Sequence, residues 1–290
     1  MVLERLYPLE LIERTPIYAF LLGLGYAFIG IGAAVLLFPE DPAIVGVAFI
    51  SLMIYPTLSQ MLRQEEEMES VNDEFHLHTF IFDHHNSFKV YTLLFLGVLL
   101  GFSFFALMLP SLATNHIFEN QINVLYGYGT AGKAIFSQGL FMNIFMNNLS
   151  VMILCFVTAF VFGEGGIFLI VWNASVWGTI FGNLAKTAAI STANNPIVYF
   201  SIVFATVFPH MILEAFAYVC AATAGGIISK GLLREEAFSE RFNHILKNTI
   251  MFVIFALIVL VIAVAVETYV LGNAETYRRI IQESFNARLG

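Results

Sequence analysis

Apolar residues in this chain come in long unbroken runs, and the charges fall between them. Nothing charged lies between Arg14 and Glu40, Asp41 and Arg63, Lys89 and Glu119, Lys133 and Glu164, Glu164 and Lys186, Lys186 and Glu214, or Lys247 and Glu267. A helix crosses hydrocarbon with about 20 mostly apolar residues at 1.5 Å rise each. Trimming the gaps at Pro, Gly and polar clusters predicts seven such segments: 17–38, 43–62, 90–110, 143–162, 166–186, 197–229 and 249–271. Membrane strands would instead alternate over segments of about ten residues. The pattern therefore predicts an all-α, multi-pass transmembrane helical bundle of six or seven spans, with 166–186 either crossing or forming a re-entrant hairpin.

The first run is too long for the apolar core of a cleavable signal, and its flank mixes Arg5 and Arg14 with Glu4, Glu10 and Glu13. It is expected to stay as a span. Gly23, Gly25, Gly30 and Gly32 form two i,i+7 pairs on it, and Gly178, Gly182, Ala222 and Gly226 repeat the habit later. Such small residues let helix backbones approach in lipid. Between spans, 63–89 carries the acidic run Glu65, Glu66, Glu67 and Glu69, expected to be a solvated juxtamembrane helix. The 111–142 loop is expected to lie along the far membrane face with Phe118, Ile122 and Leu125 dipping into the interface. The organisation reads as an N-terminal region with a two-span hairpin over 1–62, an acidic linker over 63–89, a larger membrane domain over 90–272 and a polar tail over 273–290.

Composition removes the soluble alternatives. Of 290 residues, 59% are hydrophobic and only 12% charged, half the roughly 25% of a soluble domain, and mean hydropathy is +0.81. So few charges cannot cover an aqueous surface, and a chain this apolar is not disordered. The net charge of −8 excludes a basic nucleic-acid footprint and a polybasic lipid anchor. Cys155 and Cys220 lie inside apolar runs, against a disulfide framework. With seven spans, eight basic residues (Arg5, Arg14, Arg63, Lys89, Lys230, Arg234, Arg241, Lys247) share the N-terminal side and five (Lys133, Lys186, Arg278, Arg279, Arg288) the other. The positive-inside rule then favours a cytoplasmic N-terminus in a cell membrane, and the same count holds for six spans.

Polar groups at membrane depth carry what chemistry the sequence offers. His210 and Glu214 stand four apart in 197–229, on one helix face, directly after Pro209. Pro209 frees the carbonyl of Ala205 and is expected to kink the helix. An ionisable group there costs at least about 2.5–3.5 kcal/mol, so it faces the bundle interior or a wet cavity with a partner. Three readings stay open: a paired lock on helix packing, a proton or ion pathway, and a metal site. Asn147, Asn148 and Asn173 are candidate partners in a buried polar cluster, with Glu164 in the Gly-rich bend Gly163–Gly166 as a further member. His76, His78, His84 and His85, with Glu74 and Asp83, crowd one stretch but lack the ligand spacing of a zinc motif. No catalytic signature is present, and neither a metal nor another cofactor is expected.

Lys89-Val90-Tyr91, Leu94-Phe95-Leu96-Gly97, Phe145-Met146-Asn147-Asn148, Gly163, Gly166, Asn173, Gly178 and Pro209-His210-x-x-x-Glu214 together resemble the stage II sporulation protein M family, over about residues 88–230. Met211 stands where the family pattern carries Gly. The resemblance implies an α-helical membrane domain without assigned enzymatic activity, whose members in spore formers scaffold cell-wall hydrolases. The expected role is thus a non-enzymatic scaffold or assembly factor that contacts lipid and other membrane proteins or itself. A small-solute or ion transporter using the His/Glu/Asn cluster is the alternative, and an intramembrane metalloenzyme the third.

Overall fold

A computed structural model describes residues 12, 14–71, 85–127, 140–163, 166–236 and 239–289. Every regular element among them is an α-helix: α1 Ile17–Leu37, α2 Pro42–Val71, α3 His85–Met108, α4 Ser111–Ile117, α5 Glu119–Gly127, α6 Leu140–Phe162, α7 Gly166–Thr192, α8 Pro196–Arg234, α9 Glu240–Asn273 and α10 Glu275–Leu289. Seven of these (α1, α2, α3, α6, α7, α8, α9) are long and apolar enough to cross a membrane. Segment 166–186 is therefore not a hairpin. It belongs to one 27-residue helix, α7, because nothing in it breaks the backbone ladder that lipid demands.

The helices stop where the chain chemistry ends them, beyond where hydropathy ends. Asn195 caps α8 by accepting from the Ile197 amide at 2.9 Å, with Pro196 at the first helical position. Ser239 caps α9 by accepting from Phe242 at 3.1 Å. Gly163 turns between α6 and α7 at φ 66°. After α7, Ala193 takes φ 54°, and the Asn194 amide reaches back to the Ala189 carbonyl at 3.0 Å, closing a Schellman turn. The stretch between the expected spans 197–229 and 249–271 is mostly helix, since α8 runs on to Arg234 and α9 begins at Glu240. At 39 residues α8 is about 58 Å long, nearly twice the ~30 Å hydrocarbon layer, so its charged end continues past the lipid. α2 likewise runs on to Val71.

Two helical groups flank α7. On one side are α1, α2 and α3; on the other α6, α8 and α9; α7 packs against both, and α10 lies along it. Glycines set the closest approaches. A side chain at Gly23 would meet the Leu94 carbonyl, one at Gly97 the Phe20 carbonyl, one at Gly178 the Leu99 carbonyl, and one at Gly225 the Phe156 carbonyl. Of the two glycine pairs expected on α1, only Gly23 and Gly30 face a neighbour. Gly25 and Gly32 have no atom within 4 Å of where a Cβ would stand. Ser103 fastens α3 to α7 through the Gly178 carbonyl at 3.0 Å.

The 111–127 stretch is two short helices, with the hinge residue Phe118 between them, and it sits on the tip of the α1–α2 hairpin. His116 Nε2 lies 2.7 Å from the Pro39 carbonyl, and Gln121 donates to the Ala43 carbonyl and to Ser175 Oγ, each at 3.3 Å. Phe118 and Ile122 are 1% and 6% exposed, packing into protein rather than dipping into an interface; the Leu125 side chain lies outside the described ones. The outer faces carry the greasy belt that lipid requires, including Ile29, Leu36, Val161, Phe162, Ile258 and Ile262.

Candidate functional site

The α8 helix aims His210, Glu214 and Tyr218 inward at successive turns, since residues four apart share a face. All three are buried, His210 and Glu214 to 4% exposure. Pro209, next to His210, faces outward, and α8 runs through it as one helix. Across from this face, α6 supplies Asn148 (buried) and α9 supplies Glu267 (half-buried). The Glu214 carboxyl lies within reach of the Glu267 carboxyl and of the Asn148 side chain, and Glu267 also reaches Asn148. Asn147, itself exposed, donates its amide to Asn148 Oδ1 at 3.3 Å. Tyr218 is within electrostatic reach of Glu214, Glu267 and Cys155. Outside the spans on α10, Tyr277 also senses Glu267; burial first, and then that carboxylate, push its hydroxyl up.

Two buried atoms here have no partner among the described residues: Glu214 Oε1 and His210 Nδ1. Unpaired buried acceptors and donors cost about 1–3 kcal/mol each and call for an explanation. Asn173 does not join the group. It donates to the Leu169 carbonyl of its own helix at 2.8 Å, which satisfies a spanning amide without a neighbour. Glu164 lies outside the described residues, as do the side chains of His76, His78, His84 and His85. Cys155 and Cys220 are free and buried. Among the described residues no group of three or more His, Cys, Asp and Glu is placed to hold a metal.

Two features escaped the sequence reading. Glu267 falls inside the expected 249–271 span, yet four residues from its end it passes for an interfacial charge needing no partner. Lys186 was only counted as a flank. It is buried within α7, donating to the Leu109 carbonyl at 3.0 Å and to Thr114 Oγ1 at 2.7 Å, and so caps the end of α3 from a neighbouring helix. Ser175, Thr179 and Asn183 continue a buried polar line along α7 from Lys186.

Seven apolar helices wrapped round buried polar contacts define a multi-pass α-helical membrane protein. Residues 34–270 match the family model of stage II sporulation protein M, and the chain belongs to that family. The match runs beyond the 88–230 that carried the resemblance: it takes in α2 and nearly all of α9, and with them Glu267 as well as Asn148 and Glu214. Curated proteins and solved structures give no match.

Proposed function

We propose that the protein is a non-enzymatic membrane scaffold or assembly factor, with its bundle locked inside and one helix face left for another membrane protein. One observation carries this reading: Glu214 and Asn148, at 4% and 7% exposure, turn inward between α6, α8 and α9, within reach of each other and of Glu267. Membership of a family whose description is stage II sporulation protein M agrees with it. The open glycine pair Gly25 and Gly32 supplies a face that a further helix can approach closely. The N-terminus is assigned to the cytoplasm on the eight-to-five distribution of basic residues.

Introducing Gly25→Leu and Gly32→Leu together keeps the fold, since both face open space, and blocks that approach. Cross-linking in native membranes, read on native gels, is expected to lose a higher-mass complex while the monomer stays intact, and Glu214→Gln is expected to weaken the same complex. Normal assembly by both variants would sink the scaffold reading. A second reading, transport of a proton or small cation, is favoured by the orphaned Glu214 Oε1 and His210 Nδ1; flux through reconstituted protein under a proton or sodium gradient tests it.

A further inference from the structure

We infer that Lys186, Asn183 and Thr179 on α7 form a buried binding site for a small monovalent anion of the chloride class. The inference stands apart from the scaffold reading. Lys186 is 5% exposed, and both of its hydrogen bonds end on neutral oxygens, the Leu109 carbonyl and Thr114 Oγ1. Among the described residues no carboxylate pairs with it. The acids of the adjoining segments are turned away or engaged: Asp41 and Glu119 are exposed, and Glu283 on α10 pairs with Arg279 at 3.7 Å. A buried ammonium without a counter-charge is costly even when hydrogen-bonded. It also has three N–H donors, of which two are used here.

Unspent donors continue along the same helix face. Residues three and four apart on a helix are neighbours, about 5–6 Å between Cβ atoms, so Asn183 adjoins Lys186 and Thr179 adjoins Asn183. Asn183 is 3% exposed and Thr179 0%, and Asn183 Nδ2 and Thr179 Oγ1 have no partner among the described residues. The three side chains thus offer a positive charge, its third ammonium proton, amide N–H groups and a hydroxyl. A monovalent anion accepts from all of these and cancels the charge. Water would complete the hydrogen bonds but leave the charge bare. Gln121 Oε1 is unpartnered as well, but an acceptor cannot ligate an anion. It marks the inner limit of the site, since the Gln121 amide is bound to Ser175 Oγ, one turn further along α7 from Thr179. Leu109 directly follows α3, so Lys186 sits level with a helix end, and an ion need not cross the bundle to reach it.

Equilibrium binding of radiolabelled chloride to the full chain in detergent, at constant ionic strength with gluconate as the replacing anion, tests this. The wild type is expected to bind chloride saturably at one ion per chain, and its thermal unfolding temperature to rise in step with that occupancy. Lys186→Met is expected to abolish both effects. Asn183→Leu and Thr179→Val should each weaken binding roughly tenfold or more, the value of a hydrogen bond to a charged group. Absence of saturable binding by the wild type overturns the inference, and that result needs no variant to fold. Binding that survives Lys186→Met, or that neither Asn183→Leu nor Thr179→Val weakens, overturns it too, by placing the ion elsewhere. If Lys186→Met does not fold, Thr179→Val, which keeps the side-chain shape, decides the location.

Discussion

At the scale of single residues, the same chemistry has opposite consequences according to what lies across from it. Gly97 and Gly25 are both glycines in apolar spans, but a side chain at Gly97 would strike the backbone of α1 while one at Gly25 meets nothing. Lys186 and Thr114 show the point in polar terms. A buried ammonium is tolerable only with good acceptors, and Thr114 Oγ1 is one of the two that hold Lys186, at 2.7 Å. Thr114→Val keeps the shape and removes that acceptor, so it is expected to destabilise by about 1.5–3 kcal/mol, the range for a hydrogen bond to a charged group. In a Lys186→Met background the same change should cost much less, because the charge that needed the hydroxyl is gone. Thermal unfolding of the four proteins in one detergent measures that coupling; equal losses in both backgrounds would remove Lys186 from its capping role.

Elements owe their positions to which face they can bury. α10 is amphipathic and too polar to span; it lies on α7 through Tyr277, Ile280, Ile281 and Ser284, all buried. Ile280 is at 0% exposure, so Ile280→Ala leaves a cavity against α7 and should cost about 2–4 kcal/mol. The expected readout is selective: earlier proteolysis within 275–289, with the seven spanning helices still protected. General protease sensitivity instead would mean that α10 is integral to the bundle. α4 and α5 are held both by the burial of Phe118 and Ile122 and by hydrogen bonds to the α1–α2 tip and to α7.

For the whole molecule, α7 is the joint. It touches α3 through Gly178 and Gly182, α8 on its other side and α10 along its end, so the α1–α3 and α6–α8–α9 groups communicate mainly through it. Seven helices are long and apolar enough to cross; an odd number of crossings would put the two ends of the chain on opposite sides of the bilayer, and the proposed cytoplasmic N-terminus would then put α10 outside. A cysteine at the exposed Arg279 position in a background lacking Cys155 and Cys220 should therefore react with an impermeant maleimide in intact cells, and one at the 235–239 turn should not. The reverse labelling would invert the topology without changing the fold.

The amino-acid sequence by itself determined the solvent and the helical class, because lipid imposes one local rule, a paired backbone under an apolar surface, that every segment must satisfy on its own; it left six or seven spans open, and the single helix α7 decided between them. It also marked Asn148, His210 and Glu214 as polar groups needing partners, since an ionisable side chain in a span is conspicuous wherever it stands. Only the tertiary structure decided which partner each one has. Asn173 is satisfied within its own turn, whereas Glu214 meets Glu267 from a helix more than fifty residues away. It decided as well which of two equivalent glycine pairs packs and that Lys186 is a cap rather than a flank. Those choices depend on how helices rotate and slide against one another, and a hydropathy pattern fixes neither angle nor register when lipid and protein interior are equally apolar.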